Sequence, residues 1–75
     1  MTSDTVRALL ALSGKRQNDL AQHFGMSKQT MSNKMARNSW SASDLLKVAD
    51  LCNSKLVFIM PNGQELTIEE GEAQD

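Results

Sequence analysis

Polar side chains that can donate and accept hydrogen bonds are concentrated in residues 28–33 of this 75-residue chain. On the exposed face of a predicted helix these are Lys28, Gln29, Thr30, Ser32 and Asn33. A lysine can donate to O6 and N7 of guanine, and a glutamine or asparagine can pair with N6 and N7 of adenine. The segment therefore predicts base contacts by Lys28, Gln29 and Asn33 in a DNA major groove. The alternative for each of them is an ordinary solvated helix surface.

Hydroxyl and basic side chains around this segment have the chemistry of phosphate contacts. The hydroxyls of Ser27 and Thr30 can donate to phosphate oxygens, and Lys34 and Arg37 can lie along the sugar–phosphate backbone. Further candidates of the same kind are Arg16 and residues 39–41.

The charge of the chain is divided unevenly between its two halves. Residues 1–40 contain six basic and two acidic side chains, whereas residues 41–75 contain two basic and seven acidic ones. The halves therefore carry +4 and −5, which the formal net charge of −1 conceals. Such asymmetry indicates nucleic-acid contact through the basic half, and the alternative is a solvated surface that is merely uneven.

Two short helices joined by a glycine turn are predicted to position these side chains. The first helix spans about 17–24, and its apolar residues recur at helical spacing. Gly25 suits a turn that needs a positive φ. Ser27 is a suitable N-cap for a second helix over about 28–36, whose inward residue is Met31.

This combination resembles the helix-turn-helix of the Cro and phage-repressor family. The matching residues, in order and spacing, are Gln17, Leu20-Ala21, Gly25-Met26-Ser27 and Met31. The resemblance extends more loosely from about Val6 to Asn53. It implies a DNA-binding domain whose second helix enters the major groove, and it places Gln17 at the phosphate backbone. It also implies action as a repressor.

Two positions depart from the pattern of that family. Lys34 stands where an apolar residue is usual, so we expect Met35 to take over some packing while the Lys34 stem follows the edge of the core. Arg16 stands where a threonine often precedes the first helix, and it cannot cap the helix as threonine would.

Two further helices are predicted around the helix-turn-helix. The first is capped by Ser3 or Asp4, ends at Gly14 and turns its apolar residues inward. The fourth spans about 42–52 and begins at the capping box of Ser41 and Asp44. Trp40 lies between the third and fourth helices, and we expect it to be a partial core plug beside the fourth helix rather than a DNA contact.

Residues 55–68 predict a β-hairpin around Pro61-Asn62-Gly63. A three-residue loop pairs Phe58 with Leu66 and Leu56 with Ile68. A two-residue turn would instead pair Ile59 with Leu66 and Val57 with Ile68. The longer loop is preferred because it uses Pro61 at the first central position of a turn.

The first strand of this hairpin is apolar on both faces, which predicts a second copy of the protein as its partner. The predicted dimerisation residues are Val57, Phe58, Ile59, Leu66 and Ile68. The alternative is a hairpin that only closes the core of its own chain. The expected division is residues 1–54 as a DNA-binding domain, 55–68 as the dimerisation hairpin and 69–75 as a disordered acidic tail.

Composition argues against several other classes of protein. The single Cys52 excludes an intrachain disulfide, and no cluster of His and Cys offers a metal site, so neither a metal nor a cofactor is expected. His23 has no nucleophile arranged beside it, so no catalytic residues and no enzyme are expected. The longest apolar run, residues 56–60, is too short for a membrane span, and Met1–Asp4 does not begin a signal peptide.

The sequence thus predicts a mainly α fold, in which a four-helix lambda-repressor-like helix-turn-helix domain precedes a C-terminal β-hairpin. The expected function is that of a dimeric transcriptional repressor, bacterial or phage, which reads a palindromic operator in double-stranded DNA. It would act in the cytoplasm, associated with the nucleoid. An alternative is an antitoxin-like module that binds a partner protein through the hairpin and the acidic tail. A recombinase fragment is less favoured, because a start at Met and a polar end suggest a complete protein.

Overall fold

The computed structural model describes residues 1–69 and contains four α-helices followed by an antiparallel β-hairpin. The elements are α1 (Thr2–Leu12), α2 (Gln17–Phe24), α3 (Lys28–Arg37), α4 (Ala42–Leu51), β1 (Leu56–Ile59) and β2 (Glu65–Ile68). This confirms the predicted fold class, and the bounds of α2, α3 and α4 lie within a residue of the predicted ones. The chain forms two compact units, residues 1–40 and the part that begins at Ser41. Most of the predicted acidic tail, residues 70–75, lies outside the described residues.

The core of the first unit takes buried side chains from α1, α2 and α3. They are Val6, Leu10, Leu20, Ala21, Met31 and Met35. The i, i+4 spacing of Val6 and Leu10, and of Met31 and Met35, puts each pair on one face of its helix. Burial of Met35 confirms that it supplies packing beside Lys34.

The beginning of α1 differs from the predicted cap. The helix begins at Thr2, and the side chain of its N-cap residue, Met1, makes no capping hydrogen bond. Ser3 lies inside the helix and is only 4% exposed. It stands three residues before Val6 and seven before Leu10, so it shares the buried face of the helix. Asp4 instead pairs with Arg7 at 3.0 Å on the exposed face.

The turn between α2 and α3 has the predicted local chemistry. Gly25 adopts a left-handed φ of 68°, which a residue with a Cβ enters only at a steric cost. The amide of Met26 then donates to the Ala21 carbonyl at 3.0 Å and closes the end of α2. The Ser27 hydroxyl accepts from the Thr30 amide at 3.1 Å and caps α3.

At the start of α2, Asp19 of the helix binds the amide of the N-cap residue, Arg16. The Arg16 amide donates to the Asp19 carboxylate at 2.9 Å. An aspartate in the first turn also interacts favourably with the positive end of the helix dipole. The helix therefore begins where it was predicted although Arg16 cannot act as the usual side-chain cap.

In the second unit, α4 begins at the predicted capping box. The Asp44 amide donates to the Ser41 hydroxyl and the Ser41 amide donates to the Asp44 carboxylate, each at 3.0 Å. Val48, Ala49 and Cys52 are buried, as expected for the apolar face of this helix. Asn53 follows in the left-handed conformation, with a φ of 51°.

The hairpin has the register of the three-residue loop. Phe58 pairs with Leu66 and Leu56 pairs with Ile68, as predicted. The Met60 amide donates to the Gln64 carbonyl at 2.8 Å. The two-residue alternative is therefore wrong.

No helix within residues 1–69 is both long enough and apolar enough to cross a membrane.

Candidate nucleic-acid interface

Helix α3 presents one polar face because its two methionines point into the core. Met31 is fully buried and Met35 nearly so. The remaining surface of the helix is exposed from its first turn onward, at Lys28, Gln29, Thr30, Ser32 and Asn33. The structure thus places all five predicted side chains on an accessible helix face.

Two of the predicted base-reading residues are paired with each other. The Gln29 amide nitrogen donates to the Asn33 amide oxygen at 3.1 Å, one helical turn apart. This bond uses one donor of Gln29 and the acceptor of Asn33. It leaves the Gln29 oxygen and the Asn33 nitrogen to meet the N6 donor and the N7 acceptor of an adenine.

The hydroxyls of Ser27 and Thr30 are also linked to each other. The Ser27 hydroxyl accepts from the Thr30 amide and donates to the Thr30 hydroxyl, at 3.1 and 2.9 Å. The Ser27 hydroxyl is therefore engaged in capping the helix. The Thr30 hydroxyl accepts this bond and keeps its own proton, which it can donate to a phosphate oxygen.

The N-terminal ends of α2 and α3 lie beside each other on the surface. Gln17 and Asn18, the first two residues of α2, line a shallow depression with Lys28, the first residue of α3. Its volume is about 200 Å³. Helix N-termini carry unsatisfied amides and partial positive charge, and lysine adds a full charge, so this surface suits an anion.

Lys34 lies at the opposite end of α3 and has partners within the first unit. Its ammonium donates to the Ser39 carbonyl at 2.7 Å and lies 5.2 Å from the centre of the Trp40 ring. The stem is half-buried, as predicted from its place at the edge of the core. Arg37, one turn further along, is exposed.

Trp40 is a half-buried plug, as expected, and its partners belong to the first unit. Its ring meets that of Phe24 edge to face, with centroids 6.4 Å apart. Its indole nitrogen donates to the Ser3 hydroxyl at 2.9 Å.

Ser3 connects the beginning of α1 to the end of α3, a role that the sequence did not predict. Its hydroxyl donates to the Met35 carbonyl and its amide donates to the Asn38 side-chain oxygen, each at 2.7 Å. Asn38 itself ends α3 in the left-handed conformation. The only sequence signal for this role is the place of Ser3 on the same helical face as Val6 and Leu10.

Among residues 1–69 no group of three or more His, Cys, Asp or Glu side chains is placed to hold a metal ion. Cys52 is a buried free thiol.

A short helix with an exposed polar face, which follows a glycine turn and a helix that buries Leu20 and Ala21, has the form of a helix-turn-helix. A sequence profile of the bacteriophage CI repressor helix-turn-helix domain matches residues 5–60, which is most of the chain. The chain therefore belongs to this family, and it is a DNA-binding transcriptional regulator of the lambda-repressor type. No curated protein and no solved structure matches it significantly.

Proposed function

We propose that this protein is a dimeric repressor that reads a palindromic operator with α3. The observation that carries the proposal is the polar face of α3, which is held outward by the burial of Met31 and Met35. In a helix-turn-helix, the N-terminal residues of the second helix reach the base edges.

Three residues of α3 read the bases in this proposal. Lys28 donates to a guanine, and the Gln29–Asn33 pair offers one acceptor and one donor to an adenine. Because the bond between Gln29 and Asn33 already exists in the unbound protein, less side-chain freedom is lost on binding.

A second set of residues binds phosphates and so fixes the orientation of the DNA-binding head, by which we mean the α2–α3 helix-turn-helix of one chain. It consists of Gln17, Ser27, Thr30, Lys34 and Arg37, of which Ser27 reaches a phosphate by exchanging its bond to the Thr30 hydroxyl for one to the DNA. The depression between Gln17 and Lys28 supports a phosphate at the start of the helices, and exposed Arg37 suits one near the end of α3. Lys34 reaches a phosphate by exchanging its bond to the Ser39 carbonyl for one to the DNA.

Dimerisation through the hairpin supplies the second head. Phe58 and Ile59 are 63% and 69% exposed, which is unusual for large apolar side chains. The proposed interface comprises Val57, Phe58, Ile59, Leu66 and Ile68. Two heads on one face of the duplex read half-sites separated by one helical turn, about 34–36 Å.

The proposed action is by occupancy of DNA rather than by catalysis, and it takes place in the cytoplasm at the nucleoid. The protein blocks a promoter while it is bound.

The test is selection of bound sequences from a pool of random duplexes. We expect an enriched palindrome for the wild type and its loss in the double variant Lys28→Ala/Gln29→Ala. The matched control, Lys47→Ala/Gln64→Ala, removes the same two residue types from outside the first unit and should enrich the same palindrome. An absence of any enriched sequence, or one unchanged in the α3 variant, would refute α3 as the reader.

A further inference from the structure

The β-hairpin has two outer edges, and neither is paired within residues 1–69. The sheet has two strands, and no other backbone hydrogen bond reaches β1 or β2 apart from those at the hairpin loop. An unpaired edge presents a row of amides and carbonyls to any strand that can align with it.

The register of the hairpin determines which amides point outward. Met60 donates to Gln64 across the hairpin at 2.8 Å, so Met60 is a hydrogen-bonded position. Hydrogen-bonded and non-hydrogen-bonded positions alternate along an antiparallel pair. Phe58 therefore bonds inward to β2, whereas the amides and carbonyls of Val57 and Ile59 point to the outer edge of β1.

The opposite edge carries the backbone groups of Glu65 and Thr67 by the same alternation. Residues 65–69 begin and end with glutamate. An antiparallel pairing of β2 with its own copy, centred on Thr67, would bring Glu65 opposite Glu69 of the second copy. Centred on Leu66, it would make the two Glu65 side chains diagonal neighbours about 7–8 Å apart, and like charges are destabilising in both arrangements. Residues 56–60 contain no charged side chain. Charge therefore favours the β1 edge.

We propose that β1 pairs antiparallel with β1 of a second copy, with the two-fold axis at Phe58. Val57 of each copy then faces Ile59 of the other, and the outward amides and carbonyls of these two residues form four hydrogen bonds. The two hairpins become one four-stranded sheet. This inference rests on the proposed dimeric function and specifies the strand that forms the interface.

The exposed side chains agree with this arrangement. Phe58 shares a face with its cross-strand partner Leu66, which is 50% exposed. With the axis at Phe58, the two Phe58 rings and the two Leu66 side chains form one apolar row across the sheet, and Ile59 meets Val57 of the second copy on the other face. Two short strands bury less than a standard interface of about 1,200–2,000 Å². We therefore expect dissociation in the micromolar range.

Disulfide trapping tests the edge directly. Phe58→Cys and Thr67→Cys are made separately in a Cys52→Ala background, which removes the native thiol. Residues facing each other at a non-hydrogen-bonded antiparallel position have Cα atoms about 4.5 Å apart, within the range that a disulfide bridges. We expect Phe58→Cys to form a disulfide-linked dimer on mild oxidation at tens of micromolar, and Thr67→Cys to form little disulfide-linked dimer although it still associates through β1.

Proline substitution provides a second measurement with a matched control. Val57 and Thr67 face each other in the hairpin, and both point their amides outward, so Val57→Pro and Thr67→Pro remove no hydrogen bond within the hairpin. We expect sedimentation to show Val57→Pro at the 8.3 kDa mass of one chain and Thr67→Pro at twice that mass. Circular dichroism shows whether each variant is folded.

The outcomes separate this inference from the proposed function. Trapping of Thr67→Cys in place of Phe58→Cys would overturn the β1 edge and leave the dimer intact. A wild-type dimer that neither cysteine traps would assign the interface to another surface, and a wild type that is monomeric at tens of micromolar would overturn both the edge and the dimer. If the wild type selects a palindrome but Val57→Pro remains dimeric, pairing through the β1 edge is wrong and the proposed dimeric repressor stands. If Phe58→Cys is trapped as a dimer but the wild type selects no DNA sequence, the role of α3 in reading bases is wrong and pairing through the β1 edge stands.

Discussion

Ser3 is the residue at which a single hydroxyl links three parts of the first unit. It donates to Met35 at the end of α3 and accepts from the Trp40 indole, and it is buried. Ser3→Ala removes both of these hydrogen bonds, and because each contributes about 0.5–1.5 kcal/mol, the two together amount to about 1–3 kcal/mol. We expect the free energy of unfolding, measured with urea, to fall by about that amount.

Ser32→Ala is the matched control, because Ser32 is a serine on a helix and is exposed. Substitutions of this kind stay within about 0.5 kcal/mol. Equal stability of Ser3→Ala and Ser32→Ala would show that the Ser3 bonds contribute nothing to the fold.

The sequence could not predict these bonds because their partners are distant along the chain. Met35 and Trp40 stand 32 and 37 residues from Ser3. By contrast, the Ser27 and Ser41 caps involve residues only three positions apart, and both were predicted correctly. For Lys34, the half-burial of the stem could be predicted from its position in the helix, whereas its contact with Trp40 could not. Contact of the predicted residues with DNA stays a prediction.

At the scale of elements, the turn between α2 and α3 depends on the backbone of Gly25. No atom lies within 4 Å of a Cβ built at this position, so space does not oppose a side chain. The left-handed φ of 68° does oppose it, by roughly 1–2 kcal/mol for an L-residue. We expect Gly25→Ala to reduce the free energy of unfolding by that amount.

Gly25→Asn separates backbone strain from a general effect of substitution. Asparagine tolerates the left-handed region, and this chain already uses it there at Asn38 and Asn53. Urea unfolding should therefore place Gly25→Asn between the wild type and Gly25→Ala. A Gly25→Asn variant less stable than Gly25→Ala would contradict the strain argument.

Elements were more predictable than long-range contacts because turn chemistry is local. Gly25, Pro61-Asn62-Gly63 and the Ser41–Asp44 box each specify a boundary within a few residues. The start of α1 was predicted wrongly for the converse reason. Ser3 is a good cap residue in isolation, but burial on the core face outweighs that preference.

At the scale of the whole molecule, charge separates the basic residues 1–40 from the acidic residues 41–75. Phosphate contacts by basic side chains release counterions from DNA, so affinity falls as salt rises. The acidic side chains of residues 41–75 repel phosphates, whereas the basic side chains of residues 1–40 attract them. The net charge of the chain therefore says little about its affinity for DNA.

The salt dependence of binding shows how many heads contact one duplex. Arg37→Gln removes one proposed phosphate contact per chain. The plot of log K against log salt has a negative slope, and each lost contact makes it less steep by about 0.9. Two heads on one operator should therefore lose about twice that value, measured by titration at several salt concentrations. Arg7→Gln is the matched control, because Arg7 is an exposed arginine whose guanidinium is paired with Asp4 at 3.0 Å. We expect its slope to equal that of the wild type. A loss of only about 0.9 in Arg37→Gln would mean that a single head binds each duplex, and an unchanged slope would exclude Arg37 from the phosphate contacts.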